Sequence, residues 1–489
     1  MQSQERISEK QFHKIWETQD FTEELKTLSG EEITVLFPGE YNNDESGPDF
    51  KHARIKLGNL TFIGDVEIDQ DYSDWKRHGH NINRNYNKII LHICYSNSQK
   101  QNYVYTSDGR KVPSLSIEKI ISVDNITSFP QNNKHDIVKN FELKCNSELE
   151  SIDKNLIKNA LLNYGIKRFE SKCSNVFSRL KELKFLSELK LNEPVIRYEL
   201  TKEFNNKTFL QIDFRDKDIW KQLLYELIFE ALGYSKNKKI MQKLAQNVNL
   251  KFLSQINYND KYHTKVEAIL FKVAGLLPEI NSSNEDEYIK DLHLEWQKEK
   301  QNYDGKYFDE TQWHFLGQRP QNFPTIRISG GVKIIEAILH HNFVGQIIKK
   351  FTEIKKETIL VNSIRSLFII KANGYWKDHY VFDKKSNIKL NYLIGLSRAD
   401  EIFVNVILPF LSVYFDLFGN QSLSKKVLRI YNEYEQKLDN KIVRDVALGL
   451  QVEGIEKKTI YSQGMIEIFR NYCSKNKCLE CEIGKTIFN

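Results

Sequence analysis

The stretch from Gly47 to Tyr95, GPDFKHARIKLGNLTFIGDVEIDQDYSDWKRHGHNINRNYNKIILHICY, constrains this chain more than any other. Asp49 follows a Gly-Pro pair and opens a run with apolar residues at Phe50, Ala53, Ile55 and Leu57. Gly58-Asn59 then turns the chain back into LTFIGDVEID, a β-hairpin signal. That hairpin brings Asp49 near Glu67. Asp65, Glu67 and Asp69 alternate, so all three face one side of their strand. A row of acids is costly unless solvent or a cation lies against it, and a solvated strand face fits as well as a cation site. Two carboxylates on neighbouring strands, Asp49 and Glu67, suit a hard cation such as Mg²⁺ or Mn²⁺, which prefers oxygen ligands.

The flanking sequence predicts a small α/β unit. Phe12, Ile15, Trp16 and Phe21 have roughly helical spacing after Ser8, a residue suited to an N-cap. EEITVLFPGEY reads as a strand, residues 42–48 as a turn, Tyr72–Asn87 as a short helical or irregular piece, KIILHICY as a buried strand and KVPSLSI as another. The expected organisation is α+β and multidomain: an N-terminal core of helix, mixed sheet and helix over 1–125, a linker over 126–145, and a mostly helical body. The tract VDNITSFPQNNKHD supplies the linker. Helical patterns recur at 151–185, 220–232, 239–245, 263–277, 332–352, 400–417 and 423–437, and LGQRPQNFPTIRISG reads as a proline-containing break. That break divides the body into helical domains at 146–315 and 316–489.

Composition narrows the function classes only a little. Of 489 residues, 71 are basic and 65 acidic; a net charge of +6 permits a local nucleic-acid patch without demanding one. No apolar run spans a bilayer and MQSQERISEK lacks the apolar core of a signal peptide, so a cytoplasmic protein without a membrane partner is expected. Six cysteines are too few for a disulfide scaffold, and metal ligation suits a cytosolic chain better.

The order of elements, with Pro48-Asp49 and then Glu67-Ile68-Asp69, resembles the PD-(D/E)XK nuclease superfamily over residues 1–120 or so. The resemblance implies a restriction-endonuclease-like core in which Asp49 and Glu67 hold Mg²⁺ beside a scissile phosphate. It implies nucleic acid as the partner, DNA rather than RNA. The motif's usual lysine, which helps activate water, is Asp69 here; a carboxylate can add a ligand or act as a base but brings no positive charge. A decayed, inactive member serving as a binding platform would show the same change. The blocks GPDF, GDVEI, SDWKRHGHN, ILHI, LGQRPQNFPTIRI, NGYWKDHY and CLECEIG resemble, across residues 47–484, an uncharacterised bacterial domain family of unknown function, whose strand motif usually reads Glu-Ile-His.

Other residues carry chemistry in their own right. His78 and His80 flank a glycine just after the acidic strand, where imidazole can serve as a general base or phosphate contact; Trp75 reads as a core plug. Lys76 and Arg77 are the nearest cations. His92, within an apolar strand, reads as a satisfied core residue. Arg319 and Arg327 bracket Asn322-Phe323-Pro324 and can contact a phosphate backbone or simply hold a structured loop. Tyr375, Trp376, His379 and Tyr380 fit an aromatic packing cluster or a base-stacking platform. Cys473, Cys478 and Cys481 have the spacing C-x4-C-x2-C, one thiolate short of a closed site; Cys145 is the preferred fourth ligand, for zinc or an iron–sulfur cluster. The arrangement resembles the iron–sulfur staple of some nucleases of that superfamily, although here the nuclease-like core precedes all four cysteines. Free thiols at a frayed terminus would share the spacing.

Overall fold

A computed structural model describes residues 9–42, 47–118, 120–121, 143–146, 153–189, 203–280, 286–315, 318–436 and 440–488. Ser8 and the tract 123–136 lie outside the described residues. The chain divides into two compact units, Met1–Ile137 with Phe315–Gly317, and Val138–His314 with Gln318–Asn489. The protein is α+β: a mixed sheet with helices, then a mostly helical body.

In the first unit α1 (Glu9–Thr18) buries Phe12, Ile15 and Trp16, which share one helix face. The strands are β1 (Ile33–Phe37), β2 (Glu40–Tyr41), β3 (Phe50–Leu57), β4 (Leu60–Asp71), β5 (Ile89–Ser96), β6 (Tyr103–Tyr105) and β7 (Lys111–Ser116). They form one sheet in the order β1-β3-β4-β5-β7-β6, with β2 also on β3. The β3–β4 hairpin closes at Leu57 and Leu60 through Gly58, whose φ of 56° lies where L side chains are strained. β4, β5 and β7 run parallel. The β4-to-β5 crossover passes through the short helix α2 (Asp74–Arg77) and two 3₁₀ turns, His80–Ile82 and Arg84–Tyr86. Six successive residues of β5 are buried, which explains its unbroken apolar text. β6 was not expected from the sequence.

Alternation along β4 sorts the core. Val66 and Ile68 join α1, Phe50, Ile55, Leu91 and Ile93 in one apolar cluster. Asp65, Glu67 and Asp69 take the opposite face, on which Tyr72, Trp75, Tyr86, Ile89 and Cys94 form a second cluster. All three acids are buried, so the row is not a solvated strand face.

The helical unit is one body and not two. A 36-residue helix, Lys154–Leu189, crosses the late helix Thr459–Asn471 with no room between the backbones. A Cβ on Gly464 would meet the Leu161 carbonyl at 2.0 Å, and one on Gly165 the Ile460 carbonyl at 2.2 Å. The expected division at 315/316 falls within the span of this unit. The expected break over 316–330 is shorter too. Pro324 occupies the first turn of helix Pro324–His340, where its missing N–H costs nothing. Among the described residues no helix is long and apolar enough to cross a membrane.

Candidate metal centre

The centre is built by the segment that follows β4. Asp71 ends the strand by accepting the Ser73 N–H at 2.9 Å and the hydroxyls of Ser96 and Ser98, each at 2.7 Å. Asp74 accepts the Asp71 N–H at 3.1 Å and pairs with Arg77 at 2.7 Å. Trp75, 1% exposed, plugs the face and donates its indole N–H to the Tyr105 carbonyl at 3.0 Å. Gly79, with φ 77°, then reverses the chain between α2 and the next turn. The reversal lets His78 and His80, one residue apart, both reach Asp69.

Asp69 is the hub. Its Oδ1 lies 3.2 Å from His78 Nδ1 and 3.8 Å from His80 Nε2; its Oδ2 lies 3.2 Å from His92 Nε2. His92 Nδ1 stands 3.0 Å from the Ser114 hydroxyl, which fixes the ring. His80 Nε2 also stands 3.2 Å from Glu67 Oε1, with the ring packed 4.1 Å from Tyr86 and 5.4 Å from Trp75. Both His80 ring nitrogens are buried without a hydrogen bond of good geometry. Ligand atoms of Asp69, His78 and His80 all lie within 4.8 Å of one another, close enough to share a metal ion. Burial works against the Asp69 charge, yet the imidazoles of His78, His80 and His92 outweigh it and hold the carboxyl well below the usual range. The Asp69 carboxylate in turn raises His78, the exposed member of the set.

The expected Asp49–Glu67 pair is arranged differently. Asp49 Oδ2 accepts the Ile68 N–H at 2.9 Å and meets His13 Nε2 at 3.3 Å, while Glu67 Oε2 accepts the Asp49 N–H at 3.0 Å. Each acid thus latches the other's strand. Asp65 likewise takes the His52 N–H at 3.1 Å, at a bulge where His52 has φ 60°. Among the described residues the trio of possible ligands is Asp69, His78 and His80, and neither Asp49 nor Glu67 belongs to it. Lys76 and Arg77 are exposed beside it.

Residues 9–215 and 206–440 match the family described as Protein of unknown function (DUF2851). The chain belongs to that family. No curated protein and no solved structure matches it. The Asp69 centre lies inside the first matched segment, whereas Cys473, Cys478 and Cys481 lie beyond the second.

Arg319 is exposed, but Arg327 is corrected as a nucleic-acid contact. It is 4% exposed and donates to the Leu393 carbonyl, the Tyr234 hydroxyl and Asn322 Oδ1 at 2.5, 2.9 and 2.7 Å. The Tyr375 group is packed: Tyr375 stacks on His379 at 3.9 Å and on Tyr288 at 4.3 Å, and Trp376 is buried. Cys145, Cys473, Cys478 and Cys481 line one cavity. Burial, with the neighbouring thiols, pushes Cys145 up to about 11 and Cys473 up to about 12.

Sequence reasoning passed over His13 and Ser114, and took His92 only as core. The signal for His92 is its place in the strand after the acidic one, since parallel pairing sets it against Glu67. A pocket of about 180 Å³ in the helical unit, lined in part by Glu267, His263 and Lys333, was also missed. There Glu267 accepts the Ser329 hydroxyl at 2.5 Å and the Tyr288 hydroxyl at 2.7 Å, and His263 bridges Lys333 and Glu336. An acid inside the apolar run AILF's helix was the available clue.

Proposed function

We propose that the sheet unit is a divalent-metal-dependent nuclease whose cation sits on Asp69, His78 and His80. The convergence of those three side chains carries the reading. Support comes also from the order of helix, hairpin, acidic strand and parallel crossover, which is the order the PD-(D/E)XK resemblance implies. Two imidazoles and a carboxylate favour Mn²⁺ or a later transition ion over Mg²⁺, which prefers oxygen alone. When bound, such a cation polarises a phosphoryl oxygen and lowers the pKa of its water. Glu67, whose Oε1 stands 3.2 Å from His80 Nε2, would serve as the base for such a water. His92, its ring held by Ser114, would orient Asp69 from behind, as the outer partners of metal ligands do. Lys76 and Arg77 offer charge to flanking phosphates, with DNA the favoured substrate.

The second reading is a binding platform without catalysis. It is favoured by the latching of Asp49 and Glu67 to backbone amides and of Asp69 to three imidazoles, which satisfies each acid without a cation. Cleavage of labelled single- and double-stranded DNA and RNA with Mg²⁺, Mn²⁺ or Zn²⁺ separates the two, run beside Asp69→Asn and His80→Ala. Cleavage with Mn²⁺ that both substitutions abolish is the expected result. Cleavage that survives both, or calorimetry showing no metal binding by the wild type, would sink the nuclease reading.

A further inference from the structure

The loop between Tyr472 and Glu482 is built around its cysteines. Ser474, Lys475, Asn476, Lys477, Leu479 and Glu480 are exposed, and the side chains that turn inward are Cys473, Cys478 and Cys481. Two 3₁₀ turns, Cys473–Lys475 and Cys478–Glu480, are joined through Asn476 in the left-handed region, φ 55°. A loop with so little apolar area has little hydrophobic burial to hold it in place. The three thiols meet Cys145, carried by the separate segment Leu143–Asn146, around a cavity of about 100 Å³. Leu143 anchors that segment in the core. Gly484 seats the loop on the last helix, since a Cβ there would stand 2.1 Å from the Cys478 carbonyl. The Tyr164 hydroxyl accepts the Glu482 N–H at 2.8 Å, which fixes the backbone next to Cys481. All four thiols are free.

We propose that Cys145, Cys473, Cys478 and Cys481 ligate an iron–sulfur cluster that ties the C-terminal loop to the helical unit. The choice between cluster and single ion rests on spacing. Tetrahedral zinc, with Zn–S bonds of about 2.3 Å, draws its sulfurs to about 3.8 Å from one another. Among the described residues no three of these thiols come within 4.8 Å of one another, as the Asp69 trio does. Iron and sulfide atoms between the thiolates hold them further apart. A cavity of this size also exceeds what one ion fills, being nearer to those that admit a small aromatic ring.

The test is made on the full chain purified without oxygen, by quantifying iron and acid-labile sulfide and recording visible absorption. Cys478→Ala/Cys481→Ala and Cys145→Ala are compared with Cys173→Ala, whose thiol lies outside the cavity. Wild type and Cys173→Ala are expected to hold iron and sulfide in equal amounts. The cavity variants should lose at least about tenfold, since even outer-shell changes cost metal sites 10–100-fold. If the double variant does not fold, Cys145→Ala and reconstitution of the wild type with ferrous iron and sulfide decide alone. Zinc without iron in both isolated and reconstituted protein, or iron retained by Cys145→Ala, overturns the cluster. The outcome is independent of the nuclease reading.

Discussion

The two units bury titratable groups in opposite ways. In the sheet unit Asp69 is 1% exposed and remains a carboxylate, because three imidazoles face it. In the helical unit Glu267 is 8% exposed and burial raises it, because its partners are the neutral hydroxyls of Ser329 and Tyr288. Cys145 and Cys473 are raised as well. Partners, not depth, decide the charge of a buried group. The consequence for metals differs. The Asp69 donors are already drawn together and partnered, so a cation there replaces existing ion pairs. The thiols stand apart around a cavity, so a metal there must displace protons and in return supplies the cohesion that the loop lacks.

The largest effect should come where cohesion depends on a ligand. Even a single structural zinc ion on thiolates carries an apparent binding energy of about 10–16 kcal/mol, more than any one packing contact. Cys478→Ala/Cys481→Ala should therefore leave the segment Cys473–Phe488 open to proteases and strip its amide hydrogen-exchange protection, with the sheet unit unaffected. Equal protection in variant and wild type would break the contrast between the two centres. Next in size is Asp69→Ala. Removing one member of a buried charged set costs about 3–5 kcal/mol. Urea unfolding of the sheet unit should show that loss, since His80 and His92 stay buried without their shared acid. Asp49→Ala should cost less, about 1–3 kcal/mol, the usual penalty for a stranded backbone donor such as the Ile68 N–H. Equal losses for the two would show that Asp69 is no hub.

Much of the sheet unit was legible because its signals are local. Gly58-Asn59 sets the hairpin, alternation puts three acids on one face, and an unbroken apolar run marks β5. His78 and His80 were legible from a glycine between two imidazoles. Which acid would be the hub was not. The bulge between Phe50 and Ala53 shifts the pairing of β3 with β4, and Asp49 ends on the Ile68 amide. No pattern in the text announces a one-residue shift. In the helical unit the long helix Lys154–Leu189 could be read from its spacing. Its crossing with Thr459–Asn471 rests on Gly165 and Gly464, two glycines far apart in sequence, and no local pattern announces that contact. Cys145 illustrates the converse: the spacing shows three clustered thiols, and the fold brings Cys145, distant in sequence, to the cavity they line.

The smallest expected effect concerns Glu267, and its sign separates the two buried carboxylates. A group raised on folding adds stability below its unfolded value and loses it as pH climbs through the folded one. Glu267 should accordingly make the helical unit more stable as pH falls from neutrality toward 4.5, the ordinary glutamate value. Glu267→Gln is uncharged throughout and keeps a carbonyl to accept one hydroxyl. Its amide N–H can donate to the oxygen of the other. The variant should be at least as stable as wild type at neutral pH, with a flatter dependence below it. Denaturant melts followed by a probe within the helical unit, at several pH values, provide the check. Parallel curves for the two proteins would mean that Glu267 ionises as an exposed glutamate does. Its hydroxyl partners would then stabilise a charge as well as the imidazoles of Asp69 do, and the contrast between the units would rest on the thiols alone.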